Sequence, residues 1–383
     1  MTVAGTSCRT NTEMVADDPA AGIERLAAGG SVREEVDRLA RPLIESGEVE
    51  GMVVGVLDPE GGVEICRYGG AGKLEGDAIF EVGSLAKTFV AALLAVLVEE
   101  GALKYEDTVR DILPADVPLS EDAGGLTLYE LATHSSGLPR DPVCWDALTC
   151  GVNYFFTGEN LYGYITRPWL YEYLRTCRLD PKPERRVEYS NLGAGLLGHL
   201  IEVRTGRSLS ELLREKITGP LGMHDTVFAL DPERQRRLAV GHAGDHPCFL
   251  QRETAMAPWE MGEIMNGACG LYSTLNDLML FARVVLGLHA HPLASLLPSM
   301  QLTRVVTPEE DVALGWIVHH FPECRTSIVY KYGIISGYSA YIGMVPDRRI
   351  AVVVLSTSFC LDGKVGHNLL LRWSGALEKR SHP

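Results

Sequence analysis

The sequence has no run approaching the roughly 18 consecutive apolar residues of a membrane-spanning helix. Its opening is polar, carries Asp17 and Asp18, and lacks the basic and apolar regions of a secretory signal. The expectation is a cytoplasmic protein with a flexible N-terminal tail over residues 1–25. Basic charge is in short supply: 35 Lys+Arg against 50 Asp+Glu leave a net charge of -15, which speaks against nucleic acid and anionic membranes as partners. No Cys-x-x-Cys pair occurs. Nine cysteines, an odd number, are scattered as Cys8, Cys66, Cys144, Cys150, Cys177, Cys248, Cys269, Cys324 and Cys360. They read as free thiols that pack as small hydrophobes, with Cys144 and Cys150 a pair that oxidation can bridge. Internal repeats, Gly-rich phosphate loops and low-complexity segments are also missing.

What is present describes a globular protein. At 383 residues, 46% hydrophobic and 22% charged, the chain suits one large or two intimately joined domains with a sizeable core. Ser31 and Glu34 have capping-box spacing and open a helix with Val36, Leu39, Leu43 and Ile44 at helical period. Two β-rich runs follow, 52–57 and 63–67, joined by turn residues 58–62. A helix apolar on nearly every side starts near Ser84 and stops at Gly101, so it belongs at the protein's centre. Between Leu103 and Gly262 the signals are helical or loop-like, with caps at Thr127/Glu130 and Ser208/Glu211. The aromatic-rich stretch 142–170 has no clear period and reads as a loop walling the substrate. Thr274 and Asp277 cap a further helix, β character returns in 327–330, 338–345 and 350–356, and a helix over about 365–377 closes the chain. Strands at both ends imply one shared sheet with a helical insertion.

Chemistry enters at Phe80-Glu81-Val82-Gly83-Ser84-Leu85-Ala86-Lys87. One helical turn puts Ser84 and Lys87 on the same face, within hydrogen-bond reach. A serine needs a neighbouring base to act as nucleophile, and a desolvated lysine loses its proton readily. Tyr189-Ser190-Asn191 precedes a small-residue helix; a phenol beside an ammonium can serve as general base and acid, and an amide can orient a lysine. Lys331-Tyr332-Gly333 opens the C-terminal strands, where a lysine and a backbone amide can hold a carboxylate and half an oxyanion hole. The pairs His242/His246, His289/His291 and His319/His320 have no carboxylate or cysteine at ligand spacing, so no metal is expected. His134 reads as a turn residue.

In this order Ser84-x-x-Lys87, Tyr189-x-Asn191 and Lys331-x-Gly333 resemble the three motifs of the serine β-lactamase and penicillin-binding protein superfamily, in its branch of class C β-lactamases, DD-peptidases and family VIII esterases. The likeness spans roughly residues 30–375 and includes Leu131-Ala-Thr-His-Ser-Ser-Gly-Leu-Pro139, Pro220-Leu-Gly-Met223 and Gly270-Leu-Tyr-Ser-Thr274. It implies an α+β fold: an antiparallel sheet with flanking helices from residues 26–105 and 264–383, a mostly helical domain over 106–263, and the active site between them. It implies that Ser84 is the acylated nucleophile and that Lys87 and Tyr189 activate it. Asn191 would orient Lys87 and a substrate amide, the Ser84 and Ile334 amides would form the oxyanion hole beside Gly333, and Lys331 would act on Tyr189 or a substrate carboxylate. Tyr332 stands where β-lactamases usually carry Thr or Ser, with Ile334 and Ile335 after it; this apolar edge points to a hydrophobic acyl group. The expected function is a cofactor-free serine hydrolase cleaving a small-molecule ester or amide, with carboxylesterase-type activity its readout. A biosynthetic acyltransferase and a non-catalytic ligand sensor are the alternatives.

Overall fold

A computed structural model describes residues 19–70, 74–181, 187–302, 304–308, 310–359 and 363–381. Cys8 and Cys360 lie outside the described residues. The strands in chain order are β1 (Gly51–Leu57), β2 (Val63–Gly69), β3 (Ile79–Glu81), β4 (Gly241–His242), β5 (Ala255–Met256), β6 (Tyr272–Thr274), β7 (Asp311–Val312), β8 (Ile317–Phe321), β9 (Thr326–Ile335), β10 (Tyr338–Val345) and β11 (Ile350–Ser356). Seven of them form one antiparallel sheet in the order β2-β1-β11-β10-β9-β8-β7, and β3-β6 and β4-β5 are two-stranded ribbons. The ends of the chain do share a sheet: β1 pairs with β11 in a register that sets Met52 against Ser356 and Leu57 against Ala351.

The middle strands read as continuous apolar runs because both faces are covered. In β1, Val53 and Leu57 enter one core and Met52, Val54 and Val56 the other, as the two-residue period requires. The first core holds the helix Ala86–Glu99, buried from Ala86 through Leu97. The second lies under the helices Val32–Glu45 and Gly363–Ser381. The result is an α+β molecule with helices on both sides of a sheet.

Several expectations change in detail. Residues 19–25, assigned to a flexible tail, belong to the helix Pro19–Ala27, and Arg25 pairs at 2.7 Å with Glu35, which also meets Arg372 at 2.6 Å. Ser31 accepts from Arg33 N, one residue short of the capping-box position, whereas Thr127/Glu130 and Ser208/Glu211 are reciprocal boxes. The aromatic stretch is helical over Trp145–Thr157 and Arg167–Thr176, and Trp145 is 82% exposed: most of its outward face meets solvent. Strands β7 and β8 are short and carry polar residues, so no apolar run betrayed them. Cys144 and Cys150 are free thiols. Among the described residues no helix is long and apolar enough to cross a membrane.

Candidate active site

The turn that carries Ser84 is built from backbone first. Gly83 has φ +51°, a conformation glycine adopts freely, and it starts the short 3-10 turn Gly83–Leu85 that runs into the helix Ala86–Glu99. Strand β9 extends past its pairing with β8, which ends at Tyr330, so residues 331–335 have a free edge. The Ser84 turn occupies that edge. A Cβ on Gly333 would stand 2.2 Å from Val82 O and 2.9 Å from Ser84 N, and one on Gly83 would stand 3.1 Å from Ile334 N. Only two glycines let the backbones approach this closely, bringing the Ser84 and Ile334 amides side by side.

Ser84 is half-buried among buried neighbours. Lys87, one turn on and 4% exposed, donates from Nζ to Ser84 Oγ (3.0 Å), Asn191 Oδ1 (2.9 Å) and Ala268 O (2.8 Å). Burial pushes its pKa down to about 8, with the Arg140 charge acting the same way and Cys269 and Asp141 opposing. That value puts the free amine within reach at neutral pH.

Asn191 opens the helix Asn191–Thr205, capped by Ser190, whose hydroxyl accepts from Gly193 N at 2.9 Å and donates to Pro139 O at 2.7 Å. Its Nδ2 donates to Asp141 Oδ1 and to Tyr162 Oη, each at 3.0 Å. Both amide protons and the carbonyl are therefore engaged. This Asn191 holds Lys87, and a substrate amide meets no spare proton on it.

Tyr189 enters through its ring. Lys331 Nζ lies 4.8 Å, Lys87 Nζ 5.0 Å and the Arg140 guanidinium carbon 5.2 Å from its centroid, so three cations face one aromatic ring. His134 lies tilted against it, ring centroids 4.5 Å apart at 34°, with φ +56° and Nδ1 accepting from Ser190 N at 3.2 Å. Burial and the cations Lys331, Lys87 and Arg140 hold the His134 pKa well below its usual value. His134 is thus a neutral platform under Tyr189, in keeping with a turn residue.

On β9, Lys331 and Gly333 share a face with the Ser84 turn, and Lys331 is 1% exposed. Tyr332 points the other way and, half-buried, packs against the core under the terminal helix. The bulky apolar edge inferred from Tyr332 is therefore not at the site, and the argument from it for a hydrophobic acyl group falls. All the motif residues Ser84, Lys87, Tyr189, Asn191, Lys331, Gly333 and Ile334 come together, across 250 residues of sequence. Arg140, Asp141 and Tyr162 were missed. The first two directly follow Gly137-Leu138-Pro139, and only the fold reveals that this turn abuts Asn191, whose N–H donates to Arg140 O at 2.9 Å.

Comparisons with known proteins bear on the family and the fold. The D-alanyl-D-alanine-carboxypeptidase/endopeptidase AmpH of Escherichia coli K12 is 28% identical over 341 residues, covering 84% of this chain and 83% of that protein. Penicillin-binding protein 4 of Amycolatopsis lactamdurans is also 28% identical, covering 82% and 81%. Among solved structures, a class C β-lactamase from Rhodobacter sphaeroides matches with a TM-score of 0.73 at 23% identity, covering 88% of this chain and 98% of that one. The D-alanine carboxypeptidase AmpC of Burkholderia cenocepacia matches at 0.71 and 22%, with 88% and 98% covered. The fold is thus that of the class C β-lactamases, and since the family model described as Beta-lactamase matches residues 36–374, the chain belongs to the Beta-lactamase family, a family of serine β-lactamases and DD-carboxypeptidase-like hydrolases.

Proposed function

We propose that the protein is a serine hydrolase in which an ester or amide acylates Ser84 and water then releases the acyl group. The observation that carries this is Lys87 Nζ at 3.0 Å from Ser84 Oγ, buried, and fixed by two further acceptors. The neutral amine takes the Ser84 proton while Oγ attacks the carbonyl carbon. The Ser84 and Ile334 N–H groups face the developing oxyanion. Tyr189, ringed by Lys87, Lys331 and Arg140, passes a proton to the departing oxygen or nitrogen as its bond to carbon breaks, and the Lys87 ammonium then hands the former Ser84 proton to Tyr189, so that both groups return to their starting forms. Water repeats the sequence on the acyl-enzyme and restores Ser84.

The relatives supply the first amide to try. AmpH of Escherichia coli is a D-alanyl-D-alanine carboxypeptidase/endopeptidase, so peptides ending in D-alanyl-D-alanine stand beside p-nitrophenyl esters as substrates. Intact-mass spectrometry after exposure to a fluorophosphonate is expected to show one adduct, lost in Ser84→Ala. An unlabelled wild-type protein sinks the reading. Capture of the acyl group by an added amine or alcohol, in preference to water, turns the assignment to an acyltransferase.

A further inference from the structure

Glu81 takes no part in the chemistry above, yet it is 3% exposed and stands three residues before the nucleophile. It ends β3, opposite Tyr272 of β6, and Val82 N continues the ribbon by donating to Leu271 O at 3.0 Å. Its Oε1 accepts from the backbone N–H of Trp259 at 3.0 Å. This is a buried contact between segments 178 residues apart in sequence.

Trp259 is itself tightly held. It is 7% exposed, its indole N–H donates to Gly158 O at 2.9 Å, and its ring stands edge-on to Tyr154 at 5.7 Å and to Tyr162 at 6.2 Å. Tyr162 in turn carries the hydroxyl that accepts from Asn191 Nδ2, and Asn191 is the acceptor that fixes Lys87. Glu81 is therefore joined to the general base by one hydrogen bond, one aromatic contact and two further hydrogen bonds. It also lies on the backbone that leads into Ser84. We propose that Glu81 is a positioning residue for Ser84, Lys87 and Asn191, acting through Trp259 and Tyr162. The inference rests on the assignment of Ser84 as nucleophile.

The carboxyl does this work in its neutral form. Among the described residues the titratable groups facing it are the phenols of Tyr272 on β6 and Tyr338 on β10 and the thiol of Cys269, with Glu260 next to Trp259, and no cation stands among them. Burial pushes its pKa up to about 8, the Trp259 N–H and the Tyr272 hydroxyl pulling it back only in part. Above that pH a buried anion without a cation forces water toward it or moves the Trp259 segment. Either change loosens Tyr162 and frees Asn191 from its fixed position. Ionisation of Glu81 thus lowers the reactivity of Ser84.

Glu81→Gln keeps an acceptor oxygen for Trp259 N–H and cannot ionise, whereas Glu81→Leu removes the acceptor. The readouts are the rate of Ser84 labelling by a fluorophosphonate and kcat for a p-nitrophenyl ester, between pH 6 and 9.5. The ratio of Glu81→Gln to wild type is the decisive quantity, because titration of Lys87 contributes to both proteins and cancels. It is expected to rise through about pH 8, reaching roughly 10-fold at pH 9.5. Glu81→Leu is expected to label about 10- to 100-fold more slowly at pH 7, with Gln restoring the rate. A ratio flat across the whole range overturns the proposal, even where Glu81→Leu fails to fold. Labelling of Ser84 in the wild type with a flat ratio defeats this inference alone, and absent labelling defeats the hydrolase reading beneath it.

Discussion

Gly333→Ala isolates the close approach on which the oxyanion site depends. The added Cβ would stand 2.2 Å from Val82 O, where ordinary contact begins near 3.4 Å, a shortfall of 3.4 − 2.2 = 1.2 Å. The obstacle is main chain and cannot swing aside as a side chain does. The end of β9 and the nucleophile turn must separate by about 1 Å, and a misplacement of that size costs about 10²-fold in rate. Loss of one oxyanion donor costs about 10²- to 10³-fold. We therefore expect kcat/KM for a p-nitrophenyl ester to fall by about 10²- to 10³-fold, mostly in kcat, with fluorophosphonate labelling slowed in parallel. Gly55→Ala is the control: in β1 its Cβ meets the flexible Met279 side chain, 2.7 Å from Sδ, so overpacking is expected to cost about 1–3 kcal/mol of stability while activity survives. A Gly333→Ala protein that folds and works within threefold of wild type refutes the reasoning.

Other expected outcomes follow from the same geometry. Lys87→Ala and Tyr189→Phe should each lower ester turnover by about 10²- to 10⁴-fold, measured under saturating substrate, if they move protons. In Glu81→Gln, where Glu81 no longer titrates, labelling of Ser84 should climb with pH to a plateau above about 8, since Lys87 attacks the proton only as the free amine. The unfolded chain ionises Glu81 near 4.5 and the folded one near 8, so wild-type stability should decline as pH rises across that window. The loss relative to Glu81→Gln is about 5 kcal/mol, read as a widening gap in urea midpoints between pH 4.5 and 8. Glu35 behaves in the opposite sense: hydrogen bonds from Arg25 and Arg372 outweigh its burial and lower its pKa, so its contribution is present above about pH 4.5 and fades as pH falls. Glu35→Ala removes the buried carboxylate that pairs with the 4%-exposed Arg372 and should cost about 3–5 kcal/mol in chemical denaturation.

Much of this was legible before any coordinates, for identifiable reasons. The Ser84/Lys87 pair obeys helix periodicity, and the two glycines needed for close approach stand in the stretches 80–87 and 331–333 that carry the chemistry. The burial of the Ser84 helix was written in its unbroken apolar run. What failed was anything that depends on which partner reaches a group first. Asn191 reads as an amide free for substrate until Asp141 and Tyr162 arrive from turns 50 and 29 residues away. Tyr332 reads as a wall of the site until the pleat of β9 sends it to the opposite face. The aromatic stretch reads as one unit, but it divides between solvent-facing Trp145 and Phe156 and the Tyr162 that clamps Asn191.

The pairing of β1 with β11 sets a clock. A strand that begins at Gly51 finds its neighbour only when Ile350–Ser356 has been made, and β9 reaches the nucleophile turn only through β10 and β11. Contacts spanning some 300 residues form late and slowly. On a ribosome, Ser84 and Lys87 would be synthesised early but remain without Lys331 and the Ile334 amide until almost the whole chain has emerged. A nascent chain stalled before β11 should carry a serine that no fluorophosphonate marks, so reactivity becomes a sign that β11 has been added.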